Sequence, residues 1–136
     1  MNNYMNMAID AARKTMNENK GGPFGAAIAD KDGNLIAVAS NLVLESHDPT
    51  AHAEIMAIKD ACNNLGCWKL DGCEMYVTME PCDMCKSIIE ESRISKVYYC
   101  IKKDRNKKFN TVYEPVDNYN IDVDEVFGDF FDSIRQ

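Results

Sequence analysis

The sequence predicts an α/β protein folded as a three-layer α/β/α sandwich. Short strand-like runs alternate with helix-period segments, the pattern that builds a sheet covered by helices on both faces. The chain has 136 residues, 46% of them hydrophobic, which is enough for one core and too short for two. No internal repeat, low-complexity tract or linker interrupts it, so one domain is expected over residues 1–136.

Each element has its own signal. Residues 2–19 carry Tyr4, Ala8, Ala11, Ala12 and Thr15 at helical spacing, and Gly21-Gly22 is the expected stop. Residues 25–30 and 34–40 read as two strands joined by the turn residues Lys31-Asp32-Gly33, a hairpin. Thr50 is the expected cap of a second helix over 51–64, with Ile55, Ile58 and Ala61 or Cys62 on one face. A loop with Gly66 and Gly72 leads to a strand at 74–79, a helix at 82–92 and a strand at 96–102. A last helix is expected at 123–135, with Val126, Phe127, Phe130, Phe131 and Ile134 on its apolar face. Between these, a short strand near 111–116 would sit at an edge because of Pro115.

Charge and composition narrow the function. The net charge of −7 argues against a general binder of nucleic-acid phosphates. It is unevenly spread: Lys102, Lys103, Arg105, Lys107 and Lys108 form a basic cluster, followed by an acidic tail. That cluster suits a nucleic-acid backbone, but a solvated loop balanced by the tail is the preferred reading, so a nucleic-acid partner is not favoured. No run reaches the roughly 18 apolar residues of a membrane helix, and no membrane partner is expected. The N-terminus lacks the basic start and apolar block of a secretory signal, so a cytoplasmic location is expected. Six cysteines in a reducing compartment point to metal or redox chemistry before structural disulfides.

Two motifs concentrate that chemistry. His52-Ala53-Glu54 lies near the start of the second helix, and Pro81-Cys82-Asp83-Met84-Cys85 lies where a strand gives way to a helix. One imidazole and two thiolates suit zinc and leave a fourth position open to water. A helix N-terminus and a cation both favour the thiolate form. Glu54, on the same first turn as His52, is placed to exchange protons with an activated water without ligating the metal. Three other readings compete: a thioredoxin-like Cys-x-x-Cys redox pair, a noncatalytic zinc-binding module, and a closed structural zinc site completed by His47 or Cys73. Of the remaining cysteines, Cys62 and Cys100 fall on apolar faces and are expected to pack. Cys67 and Cys73 flank a loop, where a bridge is not favoured in the cytosol.

The combined pattern His-x-Glu…Pro-Cys-x-x-Cys is the signature of zinc deaminases. Over about residues 1–102 the chain resembles the cytidine-deaminase superfamily of zinc-dependent nucleobase deaminases. The likeness also includes Gly21-Gly22-Pro23-Phe24-Gly25-Ala26, Asn41, Asp48-Pro49-Thr50-Ala51 and Thr78-Met79-Glu80. The resemblance implies a mixed five-stranded sheet, one zinc per chain held by His52, Cys82 and Cys85, and Glu54 as the proton shuttle. It further implies Asn41, Phe24 and Ala53 as substrate-binding residues, a homodimer, and hydrolysis at the ring carbon bearing an exocyclic amine. For Asn41 taken alone, a loop residue tying its own backbone is the simpler reading.

The substrate is less legible. Residues 21–26, Leu65-Gly66 and Leu70-Asp71-Gly72-Cys73 are similar to bacterial guanine deaminases, and a free purine base, guanine first, is the expected small-molecule substrate. Residues 47–56, 76–78 and 92–94 and Asp129-Phe130-Phe131 look instead like tRNA adenosine deaminases, the main alternative. Pro-Cys-Asp-Met-Cys also resembles fungal cytosine deaminases. After residue 102 the chain departs from the pattern of the tRNA enzymes and is shorter than the guanine enzymes.

Overall fold

The computed structural model describes residues 3–102, 110–115, 122 and 125. The chain divides into two compact units, residues 1–105 and 106–136. The first contains α1 (Asn3–Asn17), β1 (Gly25–Ala29), β2 (Leu35–Ser40), α2 (Val43–Ser46), α3 (Ala53–Leu65), β3 (Glu74–Met79), α4 (Asp83–Glu91) and β4 (Lys96–Ile101). In the second, residues 111–115 carry no regular secondary structure, and the Glu125 amide donates to the Asp122 carboxylate at 3.1 Å.

The four strands form one mixed sheet in the order β2-β1-β3-β4. The β1–β2 and β1–β3 pairs are antiparallel and the β3–β4 pair is parallel. A parallel pair needs a crossover, and α4 supplies it. The five strands expected from the resemblance are therefore four among the described residues. The strand expected near 111–116 is absent at 111–115, where Pro115 removes a ladder donor. The helix expected at 123–135 lies outside the described residues, save residue 125, as does the basic cluster apart from Lys102.

Alternation along β1 explains the layers. Ala26 and Ile28 face one core, built with Ile55, Ile58, Met75, Val77, Cys85 and Ile89 of α3, β3 and α4. Ala27 and Ala29 face the other, where Ala8 of α1 and Tyr76 pack with Tyr4 and Met5. A strand buried on both faces reads as a continuous small apolar run, as Gly25–Ala29 does. The three-layer arrangement is thus α1, sheet, then α3 with α4.

Two boundaries differ from the sequence reading for local reasons. The first helix ends before Gly21-Gly22, because Asn19 adopts a left-handed backbone at φ 58°. The Asn19 amide then donates to the Met16 carbonyl at 3.2 Å and the Lys20 amide to that of Thr15 at 3.1 Å, a Schellman end. The third helix begins at Ala53 rather than 51, with His52 and not Thr50 as its N-cap. Thr50 is engaged elsewhere: its amide and hydroxyl both donate to the Asp48 carboxylate, at 2.8 and 2.7 Å. The short α2 carries no periodic signal in the sequence. Among the described residues no helix is long and apolar enough to cross a membrane.

Ile28 is fully buried at the centre of the larger core. Ile28→Ala is expected to lower unfolding free energy by about 2–5 kcal/mol, read as a lower urea midpoint with the slope unchanged.

Candidate metal centre

Helices α3 and α4 begin at the same point. His52 is the N-cap of α3 (φ −68°, ψ 154°) and Cys82 the N-cap of α4 (φ −72°, ψ 170°). N-caps are ordinarily Ser, Thr, Asp or Asn, whose side chains accept a bond from the first turn. Neither cap here makes a side-chain capping bond. Both side chains turn instead toward each other and toward Cys85, one turn into α4.

The His52 Nδ1 lies 3.7 Å from the Cys82 Sγ and 3.5 Å from the Cys85 Sγ. One donor atom from each residue fits within 4.8 Å of the others. Tetrahedral zinc with bonds of about 2.1 Å to nitrogen and about 2.3 Å to sulfur would separate such atoms by about 3.6 Å. The two histidine–sulfur edges therefore have the length a zinc tetrahedron requires, and the donor set is one that suits zinc. Both cysteines are buried and His52 is half-buried. Burial, then the neighbouring Glu54 carboxylate and Cys82, push the Cys85 thiol far above its usual range. Without a cation that sulfur stays protonated, so loading the site with metal releases protons. Among the described residues this is the one such cluster, and neither His47 nor Cys73 joins it. A closed four-residue site from those candidates is not formed.

Glu54 sits in the first turn of α3, only 6% exposed, near enough for its charge to raise the Cys85 thiol. The helix N-terminus favours its negative charge. Beside the triangle lies a cavity of about 110 Å³ lined by Phe24, Asn41, His52, Glu54, Val77, Met79, Glu80 and Cys82. A cavity of about 150 Å³ holds a benzene ring, so the space is on the scale of one planar ring. Phe24 and Asn41 are thus brought to the centre, as the resemblance implied. The Ala53 side chain is fully buried in the core, while its neighbours His52 and Glu54 line the cavity.

The orientation of Asn41 is fixed by backbone. Its Oδ1 accepts the Val43 amide at 3.0 Å, and its own amide donates to the Phe24 carbonyl at 3.1 Å. The bland expectation for Asn41, a side chain tying its own loop, is met; its location at the cavity wall is met as well. The Val43 bond holds the Asn41 carboxamide at the cavity wall.

Sequence reasoning missed one residue here. Gly21 was assigned to stopping α1, but it lies against Asn41. A Cβ on Gly21 would fall 2.2 Å from the Asn41 carbonyl oxygen and 2.5 Å from its Oδ1. Only glycine lets the two loops approach this closely. Nothing local in the sequence signals this, because the contact joins segments about twenty residues apart.

Residues 1–101 match the family model for the cytidine and deoxycytidylate deaminase zinc-binding region. A tRNA-specific adenosine deaminase of Aquifex aeolicus is 36% identical over 144 residues, covering 97% of this chain and 94% of that protein. A guanine deaminase of Bacillus subtilis is 46% identical over 96 residues; that match covers 71% of this chain but 61% of the relative. The crystal structure of guanine deaminase from Bacillus subtilis superposes with a TM-score of 0.78 at 33% identity, covering 99% of this chain and 94% of the other. The departure expected after residue 102 thus does not separate the chain from the Aquifex relative.

Two outcomes follow from the geometry. The wild-type chain is expected to bind one zinc ion, measured by native mass spectrometry, and Cys85→Ala to bind none, with protons released to the buffer on loading the former. Gly21→Ala is expected to displace Asn41 and to lower the thermal midpoint, at a cost of about 1–3 kcal/mol, with zinc stoichiometry unchanged.

Proposed function

We propose, from the premise that this chain belongs to the cytidine and deoxycytidylate deaminase zinc-binding family, that it hydrolyses the exocyclic amine of a purine base and releases ammonia. Its relatives carry the names of deaminases acting on guanine or on tRNA adenosine. A zinc-dependent nucleobase or nucleoside deaminase is the reading they share.

The observation that carries the proposal is the position of Glu54. A buried carboxylate faces the same one-ring cavity as His52, Cys82 and Asn41, in contact with Cys85. His52, Cys82 and Cys85 would hold the zinc, which when bound supplies a Lewis acid that makes water nucleophilic near neutral pH. Glu54 accepts the proton that water gives up. It delivers that proton to a ring nitrogen, and a second one to the departing amine. The carbon–nitrogen bond breaks, a carbonyl replaces the amine, and ammonia leaves. The Asn41 amide donates to an acceptor on the base edge, and Phe24 packs against its face. The cavity is on the scale of one ring, so it receives the amine-bearing six-membered ring, and the rest of the base and any attached sugar extend outside it.

Guanine as a free base is the first substrate. It is supported by the segment Gly21–Ala26 and by the full-length likeness in fold to the Bacillus guanine deaminase. The wobble adenosine of a tRNA is the second, supported by the full-length likeness in sequence to the Aquifex enzyme.

The test is ammonia release from guanine, adenine, cytosine, their nucleosides and an adenosine-containing anticodon stem-loop. Guanine is expected to turn over; an inert guanine beside a reactive stem-loop selects the second substrate, and a fully inert panel contradicts the deaminase reading. Glu54→Gln is expected to reduce kcat by about 10²–10⁴-fold while keeping its zinc.

A further inference from the structure

The two cysteines at the end of α3 remain outside the metal centre. The sequence there is Cys62-Asn63-Asn64-Leu65-Gly66-Cys67. Gly66 takes a left-handed backbone at φ 64°, which ends the helix in a Schellman turn. The Cys67 amide then donates to the Cys62 carbonyl at 3.1 Å. This turn brings the side chains three residues before and two after the end together, a position usually filled by an apolar pair. Here both are thiols.

The two sulfurs also converge on one short turn. The Cys62 thiol donates to the Trp68 carbonyl at 3.7 Å, and the Lys69 amide donates to the Cys67 sulfur at 3.4 Å. Cys67 is exposed and Cys62 half-buried, and both are free. Burial, and then the proximity of Cys67, raise the Cys62 thiol above its usual range. The exposed sulfur of Cys67 is thus the one that meets a reagent first.

We propose that Cys62 and Cys67 form a reactive dithiol that closes to an intramolecular disulfide by exchange with a low-molecular-weight disulfide. The Cys67 thiolate attacks one sulfur of the small disulfide, whose S–S bond breaks as the other half leaves as a thiolate. Cys62 gives up its proton and attacks the Cys67 sulfur, and the second small thiol departs. Two protein thiols are oxidised and one small disulfide is reduced to two thiols, which take up the two protons. The backbone bond from the Cys67 amide to the Cys62 carbonyl keeps the two residues side by side for that second attack. The site is independent of the deaminase reading.

The test treats the full zinc-loaded chain with oxidised glutathione, alkylates the remaining thiols, and digests with trypsin. Cleavage after Lys59 and Lys69 puts both cysteines in one peptide, residues 60–69, and leaves Cys73 in the next. The expected product is peptide 60–69 lighter by two hydrogens, unalkylated and free of glutathione, and restored by a reduced thiol. The Cys62→Ser variant, which lacks the resolving thiol, is expected to retain one glutathione on Cys67. A wild-type peptide that keeps glutathione on Cys67 with Cys62 alkylated overturns the proposal. So does a peptide alkylated at both positions, or a Cys62–Cys73 link joining two peptides.

Discussion

The structure depends on one constraint: three soft donors from two helix starts must meet within a few ångströms. His52 opens α3 and Cys82 opens α4, and both helices pack on the same face of the sheet. That meeting point dictates the spacing of the two helices. The fully buried positions around it, from Ala53 to Ile89, serve to hold the two N-termini side by side. The strands contribute the rigid base. β3 ends at Met79, and three residues later the chain must already deliver Cys82 to the triangle. The Glu80 amide, bonded to the Ile101 carbonyl at 2.7 Å, pins that short passage to the neighbouring strand.

The same constraint explains where local rules give way. A helix start capped by histidine or cysteine, with no capping bond, gives up stabilisation that Ser or Asp would provide. A buried cysteine beside a buried glutamate keeps its proton until a cation arrives. Such departures cluster at functional sites, where chemistry and not stability selects the residue. Asn41 shows how one residue serves both ends. Its Oδ1 closes a loop turn, and the same residue lines the cavity.

The sequence exposed the layer order, because periodicity reports which faces are buried, and every strand of the first unit lies where alternation and turn residues put it. It exposed the metal triangle and Glu54, because ligand chemistry restricts the residue types and their spacing. It misplaced the start of α3, since a threonine three residues before the helix competes for the cap, and only the structure shows it spent on Asp48. It misread Gly21, whose reason is a contact across space with Asn41. It expected Cys100 to pack, yet β4 is a sheet edge among the described residues and its side chains are largely exposed. The Ala53 side chain is turned into the core between His52 and Glu54, a placement that helix geometry and not residue type decides.

The central claim is an open zinc centre built from one histidine and two cysteines. X-ray absorption at the zinc edge of the purified, zinc-loaded chain tests it most directly. Two sulfur scatterers at about 2.3 Å and two light scatterers at about 2.0–2.1 Å are expected, one of the latter an imidazole and the other exchangeable. A shell with three or four sulfurs, or one in which a second imidazole fills the remaining position, would contradict it.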